Sequence, residues 1–208
     1  MSDNQQGGWD RRDFIGGAAL LALALGLPLA AVKLSDLPAD EAPSARQRLL
    51  MKEVSQLVIP RTATGGAGEV GTGDFVILAL AHGLEKSRTI LPLGTAAGLA
   101  AHRRADGSLD HLRWLEAELD GRSGGDWLKD KAHAGVLAAL DAEAYADGVK
   151  DHPWRTVKGL ILTGYYTSQV GGAQELRFEL VPGRYDPDLP VTPATRAYSS
   201  DWTAVDFG

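Results

Sequence analysis

Cysteine is absent from this chain, and that absence removes several classes of chemistry. Without thiolates there is no disulfide framework, no cysteine-ligated iron–sulfur cluster, no covalent c-type haem and no cysteine nucleophile within the chain. Clustered positive charge is scarce as well. After Arg12 the longest basic run is the pair Arg103-Arg104, and the 208 residues carry 21 Lys and Arg against 27 Asp and Glu, a net charge of −6. No nucleic-acid partner is expected, because binding phosphate needs clustered cations. Alternating strands and internal repeats are also missing, which leaves a mainly α class.

Catalytic signatures are equally thin. There is no H-E-x-x-H and no G-x-S-x-G. The five histidines, His82, His102, His111, His133 and His152, include no pair four residues apart. His82 falls on an apolar helix face and reads as a core histidine, whereas His111 is expected on a surface helix facing Asp110 and Leu115. Ser168, Ser199 and Ser200 lack a patterned histidine partner. Glu116 and Glu118 stand two apart and so point to different helix faces. Gly66-Ala67-Gly68-Glu69-Val70-Gly71 matches G-x-G-x-x-G, but a helix rather than a strand precedes it and no second βαβ unit follows. A flexible loop is predicted there. No catalytic, cofactor-binding or metal-binding residue is assigned.

What the chain does have is Arg11-Arg12-Asp13-Phe14-Ile15, followed directly by an apolar run that reaches Val32. Paired arginines, Phe14 two places on and a mild apolar core form the pattern of a twin-arginine export signal. The run of 18 residues is at the short limit for a bilayer span, and Gly16, Gly17, Gly26, Pro28 and six alanines dilute it. Residues 1–31 are read as the signal, with cleavage after Ala31; an uncleaved anchor with both arginines inside is the alternative. Periplasmic localisation follows, at the inner-membrane face. The twin-arginine route carries folded proteins, usually because a cofactor or a partner is already in place. With no sign of a cofactor site in the rest of the chain, a partner is expected.

Residues 1–31 contain two Arg and three Asp, so the remaining 177 residues carry 19 positive and 24 negative side chains, a net charge of −5. That length supports one domain with a real core. Residues 32–43 read as a linker, 44–170 as a helical domain and 171–208 as an extended partner-binding tail. Ser44 opens a helix with Leu49, Leu50, Val54, Leu57 and Val58 at helical spacing, ended by Pro60. Asp74 is the predicted cap of a second helix from Phe75 to about Arg88, with Phe75, Leu78, Ala79 and His82 on one face. Ala96–Arg104 reads as a short helix. Ser108 is the predicted cap of another, with Leu109, Leu112, Leu115 and Leu119 inward and Asp110, Arg113, Glu116 and Glu118 outward. Asp126 is predicted to start a helix reaching about Ala146, stopped by Gly148. Asp151-His152-Pro153-Trp154 reads as a cap with proline at the first helical position, and a last helix then runs from Arg155 to about Thr167. One strand-like piece, Leu176 to Val181, precedes a tail with too few apolar residues for a core of its own.

Gly164-Tyr165-Tyr166-Thr167-Ser168-Gln169-Val170-Gly171, then Gln174-Glu175-Leu176 and Val181-Pro182-Gly183-Arg184-Tyr185, closely resemble the gluconate 2-dehydrogenase subunit 3 family. Leu57-Val58-Ile59-Pro60 with Thr62 and Thr64, and Trp154-Arg155-Thr156-Val157-Lys158, are also similar to it. The resemblance covers roughly residues 45–188. Gln169 stands where the family usually carries an acid, and the glycine loop lacks its common aspartate and proline. The resemblance implies a small, cofactor-free subunit of a membrane-associated, FAD-dependent sugar or sugar-acid dehydrogenase. It implies a large partner subunit of the glucose–methanol–choline type that holds the FAD and the catalytic residues. It further implies a cytochrome c, with haem c, as electron acceptor, and passage of the large subunit through the twin-arginine translocase on this chain's signal.

Partner contact is expected at Tyr165, Tyr166 and Glu175 and along the tail at Arg184, Tyr185, Tyr198, Trp202 and Phe207, since aromatics and arginine anchor interfaces. The competing reading packs Tyr165, Tyr166 and Leu176 into the chain's own bundle, with Arg184 and Tyr185 stabilising a turn. From other function classes, a free-standing periplasmic enzyme with a scattered histidine and carboxylate metal site and a membrane-tethered binding module stay open.

Overall fold

The computed structural model describes residues 33–178, 188, 190–192 and 194–199. The export-signal residues Arg11, Arg12 and Phe14, and Arg184, Tyr185, Trp202 and Phe207 of the expected tail, lie outside the described residues. The architecture is mainly helical, as expected, with six α-helices among the described residues. None of their helices is long and apolar enough to cross a membrane.

Helix α1 spans Ala45–Val58. Ser44 Oγ accepts from the Gln47 backbone N–H at 3.1 Å, and the Gln47 side chain accepts from the Ser44 N–H at 2.9 Å, closing a capping box. The helix stops as predicted, because Pro60 disfavours helical geometry at Ile59. It buries Leu50, Met51, Val54 and Ser55.

Helix α2, Thr72–Ala81, occupies the centre and packs most extensively on α1 and on the last helix, α6, Pro153–Tyr166. It begins earlier and ends sooner than the sequence predicts. Gly71, at φ 84, makes the entry turn, and Asp74 pairs with Arg48 at 2.7 Å instead of capping. Gly83, at φ 82, ends the run. Rather than one apolar face, α2 buries Phe75, Val76, Ile77, Ala79 and Leu80, most of its circumference. His82 follows it, half-buried, with burial lowering its pKa.

A short α3, Ala97–Ala100, is all that forms of the predicted Ala96–Arg104 helix. Helix α4, His111–Ser123, is capped by Asp110, which accepts from the Arg113 N–H at 3.1 Å. Ser108, the predicted cap, is buried upstream and donates to Asp106 at 2.6 Å. Glu116 does not point to solvent: with Asp120 (2.7 Å) and Asp126 (2.9 Å) it surrounds the Arg46 guanidinium. Burial disfavours that cation, but the hydrogen bonds of the three carboxylates outweigh it and raise its pKa.

The helix predicted from Asp126 is split into a 3-10 turn, Trp127–Lys129, and α5, His133–Ala144. The break lets Trp127 enter the core, fully buried, with its indole N–H on the His133 carbonyl at 3.0 Å. Helix α6 opens as predicted: His152 Nδ1 accepts from the Trp154 N–H at 3.2 Å, and Pro153 sits in the first turn. Trp154 and Lys158 both donate to Asp141 at 2.7 Å, joining α6 to α5. Of the predicted strand, the described part is β1, Arg177–Phe178, parallel to β2, Tyr198–Ser199.

His111 is buried, not on the surface, and its Nδ1 lies 3.2 Å from the Leu109 carbonyl. Burial pushes its pKa from 6.5 down to about 4, against the opposing effect of that carbonyl. The unfolded chain therefore takes up a proton near pH 6.5 that the folded chain refuses until about pH 4. Stability is fullest above pH 6.5 and falls as the pH drops through that window. Urea unfolding should show roughly 3 kcal/mol lost to this one group, and His111→Gln should flatten the slope between pH 6.5 and 4.

Candidate functional site

The residues after α1 form a packed turn rather than the flexible loop expected. Ala67 is buried and its N–H donates to the Ile59 carbonyl at 2.9 Å. A Cβ on Gly68 would stand 2.5 Å from the Lys52 carbonyl, so only glycine lets the turn lie against the α1 backbone. The backbone N–H groups that a phosphate would need are already engaged. Gly66 donates to Glu69 at 3.1 Å and Gly68 to Gln56 at 3.1 Å. Arg61 closes the outside of the turn on Glu69 at 2.8 Å.

Against this turn lies the C-terminal end of α6. Tyr165 is 1% exposed. Its hydroxyl donates to the Gly65 carbonyl at 3.0 Å and stands 3.4 Å from Thr64 Oγ1. Glu175 completes the cluster: its Oε2 accepts from Thr64 and, at 3.4 Å, from Thr62. Two of the stretches that carry the family resemblance, one around residue 60 and one around residue 170, thus meet in space.

A π-helical turn, Gly171–Glu175, brings Glu175 round to the threonines. Ser168 Oγ donates to the Tyr165 carbonyl at 2.7 Å and accepts from the Gly171 N–H at 3.1 Å. Gly171 rests directly on the Tyr165 carbonyl, where a Cβ would collide with backbone. The residues from 171 to 175 are therefore tied to α6, at the point where the extended tail was expected to begin.

The expected partner residues divide accordingly. Tyr165 is a core residue whose hydroxyl locks the turn, so it offers no side-chain surface. Glu175 is half-buried within the same lock. Tyr166 is 41% exposed, its ring edge-on to Tyr165 at 5.2 Å. Tyr198 is 48% exposed, with the Arg177 guanidinium 5.1 Å from its ring centre. Sequence reasoning missed Leu162, which is 38% exposed and lies one turn before Tyr166 on the same face of α6. Their four-residue spacing was the available signal. Arg177 was missed too, and no local pattern marks it.

The histidines do not converge. His152 caps α6, and burial lowers its pKa. His133 contacts the Asp130 carbonyl at 2.8 Å and Glu53 at 3.3 Å. No three His, Asp or Glu among the described residues are grouped to hold a metal ion. What the cluster does chemically is fix backbone: hydroxyls and one carboxylate hold two distant segments in register.

The family model described as gluconate 2-dehydrogenase subunit 3 matches residues 45–183. No curated protein and no solved structure matches the chain.

Removing the Tyr165 hydroxyl isolates the lock. Tyr165→Phe should lower stability by about 0.5–1.5 kcal/mol in urea unfolding and speed amide exchange in residues 64–67 and 171–176. Tyr166→Phe, which alters an exposed side chain, should stay within about 0.5 kcal/mol of the parent.

Proposed function

The chain belongs to the gluconate 2-dehydrogenase subunit 3 family, and from that premise we propose that it is the non-catalytic small subunit of a periplasmic, membrane-associated sugar or sugar-acid dehydrogenase. In this reading the large partner subunit, of the glucose–methanol–choline type, binds FAD and carries out the oxidation. A cytochrome c takes the electrons onward. This chain contributes folding or maturation of the flavoprotein and its passage through the twin-arginine translocase.

The observation that carries the reading is the Tyr165–Gly65–Thr64–Glu175 cluster, built from two of the stretches that resemble the family. Such a cluster organises surface without supplying a nucleophile or an acid–base pair aimed at a cavity. Beside it stand the exposed Leu162 and Tyr166 and, after the turn, Tyr198 with Arg177, the tyrosines and arginine being residue types that anchor interfaces. The leader supports the export half of the proposal: Arg11-Arg12 and Phe14 give this chain the address that a partner without a leader would borrow.

Replacing Arg11 and Arg12 together with lysine tests the escort. Cell fractionation should find the large subunit and its dehydrogenase activity held in the cytoplasm. Activity still reaching the periplasm at the parental level would remove the escort role. Truncation after Leu189 tests the tail separately: recovery of the large subunit in co-purification should fall at least tenfold, and undiminished recovery would take the tail out of the interface.

A further inference from the structure

Between α2 and α4 the chain makes an excursion whose surface runs against ordinary folding practice. From Thr89 to Ala101 there is no charged residue, in a chain that is 23% charged. Leu91 and Leu99 turn in and pack on the core. Ile90 and Leu93 turn out, 67% and 102% exposed, and Ala96, Ala97 and Gly98 beside them are exposed as well. Among the other large apolar side chains exposed in the described residues, only Leu162 and Tyr166 share an element, α6, and each is less exposed than Ile90 or Leu93.

The excursion is built, and arginines build it. Arg88 grips its root, donating twice to the Ala81 carbonyl, at 3.0 and 2.8 Å, and pairing with Glu41 at 2.5 Å and Asp106 at 2.8 Å. Arg103 ties the tip from within, donating to the carbonyls of Leu91, Gly107 and Pro92 at 3.1, 3.2 and 3.5 Å. Antiparallel bridges Ile90↔Ser108 and Arg103↔Leu109 hold its two sides together. The apolar tip is thus fixed by polar bonds to its backbone and leaves its own side chains free.

We propose that this tip is a docking element that inserts Ile90 and Leu93 into an apolar socket with an acidic rim on the large dehydrogenase subunit. The proposal rests on the small-subunit reading and names a contact surface separate from the α6 end and the tail. Charge selects the occupant. Arg88 and Arg104 are paired with Glu41, Asp106 and Asp110. Arg103 and Lys86, at the two ends of the excursion, have no ion pair among the described residues, and neither has Glu85. The segment 84–110 holds four cations and three acids, a net +1 within a chain of net −6. A second copy docked about a two-fold axis would set this net positive segment against itself, like charge against like. An anionic bilayer would meet Arg103 and Lys86, beside Glu85, on an otherwise acidic protein, too few cations to hold it there. An apolar socket edged by carboxylates satisfies both the side chains and the rim.

The test titrates the purified large subunit with the full chain and its variants, after checking that each variant keeps the parental Tm. Leu93→Glu and Ile90→Glu should each weaken binding at least tenfold, and Leu93→Ala less. Leu49→Glu, at an exposed apolar residue of α1, should bind as the parent does. Parental affinity in Leu93→Glu would overturn the tip while leaving the small-subunit reading intact. Failure of the unmodified chain to bind the large subunit would overturn that reading and the tip with it. Two further results would also overturn the proposal. One is self-association of the chain alone that Leu93→Glu abolishes; the other is Leu93-dependent sedimentation with phosphatidylglycerol vesicles while large-subunit binding is unchanged.

Discussion

Helix α2 has almost no surface of its own to give to water, and covering it is the constraint on which the rest of the fold depends. Phe75, Val76, Ile77 and Leu80 are all buried, and removing each from water contributes about 1.5–3 kcal/mol. A helix apolar on every side needs neighbours on every side. Helices α1 and α6 supply them at close range because glycine stands at both contacts. Gly73 meets the backbone of α1 at Met51 and Lys52, and Gly164 of α6 meets the Phe75 ring. A side chain at either place would push the helices apart and open the core, so sequence economy at two glycines sets the spacing of the bundle.

Once α1 and α6 are placed by α2, the cluster at their ends follows. The turn after α1 starts where α1 stops, and Tyr165 lies near the end of α6. Their positions are thus fixed by core packing. The Tyr165 hydroxyl then selects one arrangement of the turn by bonding the Gly65 carbonyl. Glu175 repeats the selection from the far side of the π-helical turn through Thr62 and Thr64. Individually such bonds contribute about 0.5–1.5 kcal/mol, which is small beside the core. Their effect is geometric, deciding where the chain leaves the bundle rather than whether the bundle forms.

Legibility in the sequence followed the locality of the cause. Helices α1 and α6 were readable because Ser44 with Gln47, and His152 with Pro153, act within one turn of chain. The start of α2 was misread because Asp74 is a good cap by residue type, while the real entry depends on the left-handed turn at Gly71 and on Arg48, from another helix, taking the carboxylate. Asp126 failed for a similar reason. Its partners are Arg46 and Lys129, and the core demands Trp127, so the helix waits until His133. Surface and interior were confused at Glu116 and His111, where periodicity does not reveal what lies opposite. Tyr165 and Tyr166 were legible as a pair worth attention, but only tertiary packing separates the buried one from the exposed one.

The same contrast separates the two ways this protein holds irregular chain. Near Tyr165, hydroxyls and glycines press the backbone onto the bundle, and apolar side chains end up inside. Around Arg88 and Arg103, guanidinium groups reach for carbonyls while Leu91 and Leu99 pack on the core, so Ile90 and Leu93 are held in place without being buried. A planar cation with five donors can replace a small core as the organiser of a loop. The consequence is an apolar tip whose backbone is tied down and whose side chains are still uncovered. A loop stabilised by its own leucines would have had to hide them, whereas one held by arginine can present them.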